Sequence, residues 1–226
     1  MIKLALVGRN ISHSKSQQMY EEIYGKSIDY TLLDFQNASE IPTLKDLFLN
    51  YMGISITAPY KEHFLSQVVV SEEVLKLKAV NCIAHQNGKY FATNTDYLAV
   101  EEIFRKSNYE ERNIVVLGDG AMSRVTIAVL EKLGKNAKFI NRKEYGDLNQ
   151  VNYSSLYGEN LLVINACARA FQFKAELPEG TIFWDYNYSH HENTIYLKDK
   201  CRYVDGINLL FMQAKFATEF WQLCNK

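Results

Sequence analysis

Short apolar runs alternate with helical spacing along most of this chain, and that rhythm constrains the fold more than any single motif. Lys3–Gly8 (KLALVG) is an apolar run closed by glycine and reads as a buried strand. Helical spacing follows through Met19, Ile23 and Tyr24, and a second strand over Asp29–Asp34. A helix over 40–51 comes next, with Leu44, Leu47 and Phe48 on one face. In 53–58, Ile54, Ile56 and Ala58 alternate with Ser55 and Thr57, the period of a half-buried strand. Pro59 ends that strand and suits the first turn of a helix, which would carry Lys61. A cation there opposes the helix dipole, so a positioned ammonium and a plain surface lysine are both open readings. A helix over 71–78, a strand over 79–84 and an Asn87-Gly88 turn into Lys89–Thr93 follow. Asn94-Thr95-Asp96 opens a long amphipathic helix through Leu98, Val100, Ile103 and Phe104, with Thr95 or Asp96 expected as its cap. Such alternation argues for parallel βαβ units.

The first strand runs into Asn10-Ile11-Ser12-His13-Ser14-Lys15-Ser16-Gln17. Ser14 with Gln17 three residues later fits a capping box. Hydroxyls between a strand and a helix start also suit a small anion. His13 reads as a loop histidine.

The second half repeats the rhythm. Asn113–Leu117 is a strongly apolar strand, Gly118-Asp119-Gly120 turns it, and a helix over 121–133 closes at Gly134. A strand over 136–140 ends in Asn141-Arg142-Lys143. This is the context of a dinucleotide fingerprint, although Ser123 stands at the third glycine position. Two basic residues and no acid before Glu144 favour a 2′-phosphate over a free ribose hydroxyl, hence NADP(H), unless they are simply solvated. Further strands are expected over Leu161–Asn165 and 181–185, and the stretch 201–205 leads into Gly206. The helix over Ile207–Cys224 is apolar on too many sides to stand in solvent, and it is expected to pack on the first domain.

Composition removes several classes. The 226 residues allow one large domain or two small ones, and 47% are hydrophobic, enough for a core. A net charge of -1 without a basic run gives nucleic acid no footprint. Cys82, Cys167, Cys201 and Cys224 form no CxxC pair, so neither a zinc site nor a disulfide framework is suggested. No signal peptide or membrane span is evident, which makes a cytoplasmic protein the expectation.

Taken in order, these segments resemble the shikimate dehydrogenase family along nearly the whole chain. Ser14-Lys15-Ser16 is similar to the family's serine pair for the substrate carboxylate, and Thr57 to Lys61 to its N-V-T-x-P-x-K element. Ala79-Val80-Asn81 is similar to A-V-N-T, and Asn94-Thr95-Asp96 to N-T-D. Gly118 to Arg124 is similar to G-A-G-G-A-x-R, and Asn141-Arg142-Lys143 to N-R-T. Asp205-Gly206 through Gln213 resembles D-G-x-x-M-L-x-x-Q.

The resemblance implies an α/β chain with an N-terminal substrate-binding domain, 1–97 with 207–226, and a Rossmann-like domain over 98–206. It implies Lys61 and Asp96 as catalytic residues. Ser14, Ser16, Thr57, Lys61, Asn81, Asp96 and Gln213 would bind substrate, with Tyr188 a further candidate. Gly118, Asp119, Gly120, Ala121, Met122, Asn141, Arg142, Lys143 and Gly206 would bind NADP(H). The implied reaction is reversible reduction of 3-dehydroshikimate to shikimate, in aromatic amino acid biosynthesis, by a monomer or homodimer needing no metal, membrane or nucleic acid. Departures concentrate in the cofactor half: Asp119 replaces a small residue, and Asn165-Ala166-Cys167-Ala168-Arg169 stands where the family has N-A-T, then Pro or Ser and a glycine. Tyr97 and Ala99 replace glycines after N-T-D. A quinate/shikimate-type dehydrogenase and a non-catalytic shikimate-binding relative are the alternatives.

Overall fold

The computed structural model describes residues 2–188 and 191–224, excepting the side chains of Asn108, Glu110, Leu156 and Leu223. The chain divides into two compact units, Met1–Ala99 with Leu210–Lys226, and Val100–Leu209. Each is an α/β unit around one five-stranded sheet.

The first unit runs β1 (Lys3–Gly8), α1 (Ser16–Tyr24), β2 (Asp29–Asp34), α2 (Leu44–Asn50), β3 (Gly53–Ile56), α3 (Glu72–Leu77), β4 (Cys82–Gln86), β5 (Lys89–Thr93) and the start of α4 (Thr95–Lys106). Its strand order is β2-β1-β3-β4-β5, parallel across β2, β1 and β3 and antiparallel thereafter. The alternation therefore yields a mixed sheet: Asn87 and Gly88 both take positive φ, and the tight hairpin they make reverses β5.

Several expectations are corrected here. The strand after Gly53 is buried at every position because β1 and β4 flank it and both sheet faces are covered, so its alternation does not mark a wet face. Ser55 is satisfied there by the Tyr20 hydroxyl at 3.0 Å. No α-helix follows Pro59. Tyr60 N–H donates to the Thr57 carbonyl and His63 N–H to that of Tyr60, a run of tight turns with Lys61 between the buried Tyr60 and Phe64. The Ser14/Gln17 capping box does not form: α1 starts at Ser16, Ser14 Oγ accepts the Ser16 N–H, and Gln17 turns to Glu21. Pro42 delays α2 to Leu44, where Thr43 caps it by accepting the Asp46 N–H. The fourth strand begins at Cys82, leaving Ala79 to Asn81 in a connecting loop. Asn94 caps α4 by accepting the Tyr97 N–H, in place of Thr95 or Asp96.

The second unit continues with β6 (Asn113–Leu117), α5 (Ala121–Lys132), β7 (Ala137–Ile140), α6 (Arg142–Tyr145), α7 (Tyr153–Tyr157), β8 (Leu161–Asn165), β9 (Ile182–Asp185), α8 (His191–Leu197) and β10 (Arg202–Val204). Its sheet is fully parallel, ordered β10-β9-β8-β6-β7, so the chain leaves β6 in one direction and returns on its other side at β8. Ligands of open parallel sheets bind beyond the strand ends at such a reversal. Helices α6, α7 and α8 occupy stretches without a sequence expectation.

The last helix, α9 (Ile207–Cys224), belongs from Leu210 onward to the first unit. Ala214, Ala217 and Trp221 pack with Leu4, Tyr20, Cys82 and Ala84. The Trp221 indole N–H donates to the Ile83 carbonyl at 2.9 Å, and a β-carbon on Gly53 would lie 2.5 Å from the ring. Only a residue without a side chain lets β3 approach that indole. Among the described residues no helix is long and apolar enough to cross a membrane.

Candidate functional site

The first constellation lies at the carboxyl ends of β1 and β3, where the first sheet also reverses direction. Tyr60 fixes the turn that carries Lys61: its hydroxyl donates to the Phe35 carbonyl at 2.8 Å, and the Lys61 carbonyl accepts the Val80 N–H at 2.8 Å. Lys61 Nζ meets Asp96 Oδ2 at 2.7 Å, with side-chain exposures of only 12% and 13%. Such shielding makes this pair far less screened by salt than a surface pair. Asn94 places Asp96 there, since capping α4 with its own side chain leaves the aspartate free, while its amide donates to the Ala79 carbonyl.

Asn81 and Gln213 converge on Thr95. Asn81 Oδ1 accepts from the Thr95 N–H at 2.7 Å and its hydroxyl at 3.1 Å, and the hydroxyl lies 3.3 Å from Gln213 Oε1. Thr95 is buried, and the sequence offers it only as a helix cap, not as the residue that joins Asn81 to Gln213. The β1–α1 loop is held by a residue that sequence missed: Asp34 accepts the N–H groups of Asn10 and Ile11 at 2.9 and 3.0 Å. That loop carries Ser14 and Ser16, whose hydroxyls are 3.1 Å apart. Gly8 lets it close on Thr57, because a β-carbon there would stand 2.5 Å from both Ile11 Cγ2 and Thr57 Cγ2. The result is a cation–carboxylate pair in one unit with hydroxyl and amide groups suited to a small polyhydroxylated acid.

The second constellation lies in the other unit, around a cavity of about 650 Å³ lined by Gly118, Asp119, Gly120, Arg142, Lys143 and Cys167 among others. Gly118 has φ +108°, and a β-carbon would lie 3.0 Å from the Ala166 carbonyl oxygen, so the turn depends on glycine. Ala121 and Met122 open α5 behind it. Asn141 caps α6 by accepting the Lys143 and Glu144 N–H groups, which sets Arg142 and Lys143 at the cavity. The tight glycine turn, the open cavity and two cations fit a phosphorylated dinucleotide. Ser123, at the third glycine position, is buried with no partner for its hydroxyl.

Asp185 was not anticipated. It is fully buried and accepts from the side-chain amides of Asn165, Asn187 and Asn193, the Asn187 N–H and the Tyr203 hydroxyl. One carboxylate thereby fixes the ends of β8 and β9 against α8 and β10. Gly206 sits where a β-carbon would be 2.2 Å from the Tyr186 carbonyl oxygen, which is a packing reason for glycine. Tyr188 is half-buried in this second unit, with the Arg169 guanidinium 6.0 Å from its ring centre.

Together these features define a two-unit α/β chain in which one unit has the parallel sheet and glycine turn of a dinucleotide fold. Its particular relatives are equally plain. Residues 6–83 match the shikimate dehydrogenase substrate binding domain. Shikimate dehydrogenase (NADP(+)) of Clostridium botulinum is 24% identical over 99% of this chain and 97% of its own. That of Caldicellulosiruptor bescii is 30% identical over 64% of this chain, a match spanning about half, 54%, of that relative. The solved shikimate 5-dehydrogenase of Thermus thermophilus, in complex with shikimate, has the same fold at a TM-score of 0.79, with 23% identity over 98% of this chain and 92% of that one. Residues 6–83 thus match the substrate-binding domain of shikimate dehydrogenases, and along nearly its whole length the chain is similar to proteins of that name.

Proposed function

We propose that this chain catalyses the reversible, NADP(H)-dependent interconversion of 3-dehydroshikimate and shikimate. The observation that carries the reading is the shielded Lys61–Asp96 pair, joined through α4 to Thr95, Asn81 and Gln213. Bound NADPH supplies the hydride, and the chain's residues supply position and the proton. Lys61 donates a proton from Nζ to the oxygen that was the ketone, or stabilises its developing negative charge, while Asp96 holds the ammonium in place. Ser14 and Ser16 receive the substrate carboxylate, and Thr57, Asn81, Asp96, Gln213 and Tyr188 its hydroxyls. Arg142 and Lys143 receive the 2′-phosphate as charge-assisted partners, with Asn141 holding their turn and Gly118, Gly120, Ala121, Met122 and Gly206 leaving room for the dinucleotide. Both reactants are small and water-soluble, so the cytoplasm is the compartment this reading implies.

Turnover of purified protein with shikimate or quinate and either NADP or NAD tests this directly. Cofactor reduction with NADP and shikimate is the expected result. Activity with quinate alone reassigns the substrate. Shikimate that raises the melting temperature without any turnover identifies a binding protein, a reading favoured by Asp119 and the 165–169 segment.

A further inference from the structure

The cavity of the second unit is lined by two acids, Asp119 and Asp147, and three cations, Arg142, Lys143 and Lys174, and Asp119 is ion-paired with one of the cations read as holding phosphate. Asp119 follows the first glycine of the turn, and its Oδ2 lies 3.1 Å from Lys143 Nζ, at side-chain exposures of 56% and 85%. We infer that Asp119 is a specificity-determining residue that weakens the hold on NADP(H), leaves that on NAD(H) almost unchanged, and so narrows the preference between them. This rests on the reading of Arg142 and Lys143 as partners of the 2′-phosphate.

The argument is electrostatic. A 2′-phosphate carries about 1.5 to 2 negative charges near neutral pH. It must share Lys143 with a carboxylate that already neutralises it, and that carboxylate stays nearby as a like charge. NAD(H) brings an uncharged ribose diol to the same place, and a carboxylate is a natural acceptor for such hydroxyls. Because both side chains reach solvent, salt screens the effect to severalfold size.

Dissociation constants for NADPH and NADH, measured by nicotinamide fluorescence on the wild-type chain and Asp119→Asn, test the inference without turnover. Asp119→Asn is expected to tighten NADPH about five- to tenfold at low salt and to move NADH less than about twofold. The NADPH gain is expected to shrink toward about 0.5 M salt. Lys143→Ala should weaken NADPH more in the Asp119→Asn background than in the wild type, since only there is its charge uncompensated. Equal shifts for the two nucleotides, no shift, or additive substitutions overturn the inference while leaving dinucleotide binding intact. A wild-type chain that binds neither nucleotide overturns the dinucleotide reading and this inference with it.

Discussion

At the residue scale the chain keeps its thiols quiet, and the proposed reaction assigns proton handling to Lys61. Burial pushes the Cys167 thiol up to about 12; Arg142 draws it down, and Asp185 and Asp119 push it further up. Burial likewise raises Cys201 to about 11, and Cys82 and Cys224 in the same direction. A raised value means less thiolate at a given pH, and the thiolate is the reactive form. Alkylation of Cys167 and Cys201 by iodoacetamide at about pH 8 should therefore run at least roughly a hundredfold slower in the folded chain than in urea, and keep rising as pH passes about 9. Cys167 labelled in the folded chain at the unfolded rate would contradict this account of the cavity wall. Lys61 could be placed by its motif, but not its surroundings. Tyr60 and Phe64, which fix it, are two aromatics at a spacing equally suited to a helix.

At the element scale the closest dependence is that of α9 on β3. A methyl group on Gly53 would meet the Trp221 ring at 2.5 Å, and an indole bonded to Ile83 has little room to retreat. Gly53→Ala should cost about 1–3 kcal/mol in urea unfolding, the usual penalty for overpacking a filled core. An unchanged midpoint would show that the helix gives way freely. Such dependences bound what sequence could reveal. Strands β1, β2, β5, β6 and β8 and helix α9 are legible because apolar runs and glycine or asparagine turns punctuate them. The 57–64 turns were not, since Pro59 signals a helix start as well as a turn. The α4 cap was not legible either. Asn, Thr and Asp all cap well, and the choice falls to Asn94 where Asp96 pairs with a lysine 35 residues away.

At the scale of the whole molecule the two units tell different stories. In the first, Lys61, Asn81, Asp96 and Gln213, residues named from motifs, are gathered by a set of hydrogen bonds that Thr95 joins, while Asp34 holds the neighbouring loop. In the second, the glycine turn and the basic pair are present, but Asp119 and Cys167 give the cavity a chemistry of its own. The central claim concerns the first unit, that Lys61 serves the chemical step and not merely the hold on substrate. The most direct measurement compares turnover and shikimate affinity of the wild type and Lys61→Ala. The account predicts that turnover falls about 10²–10⁴-fold, the usual share of a proton-transfer group, while calorimetry still detects shikimate binding. A variant with near-normal turnover would contradict it.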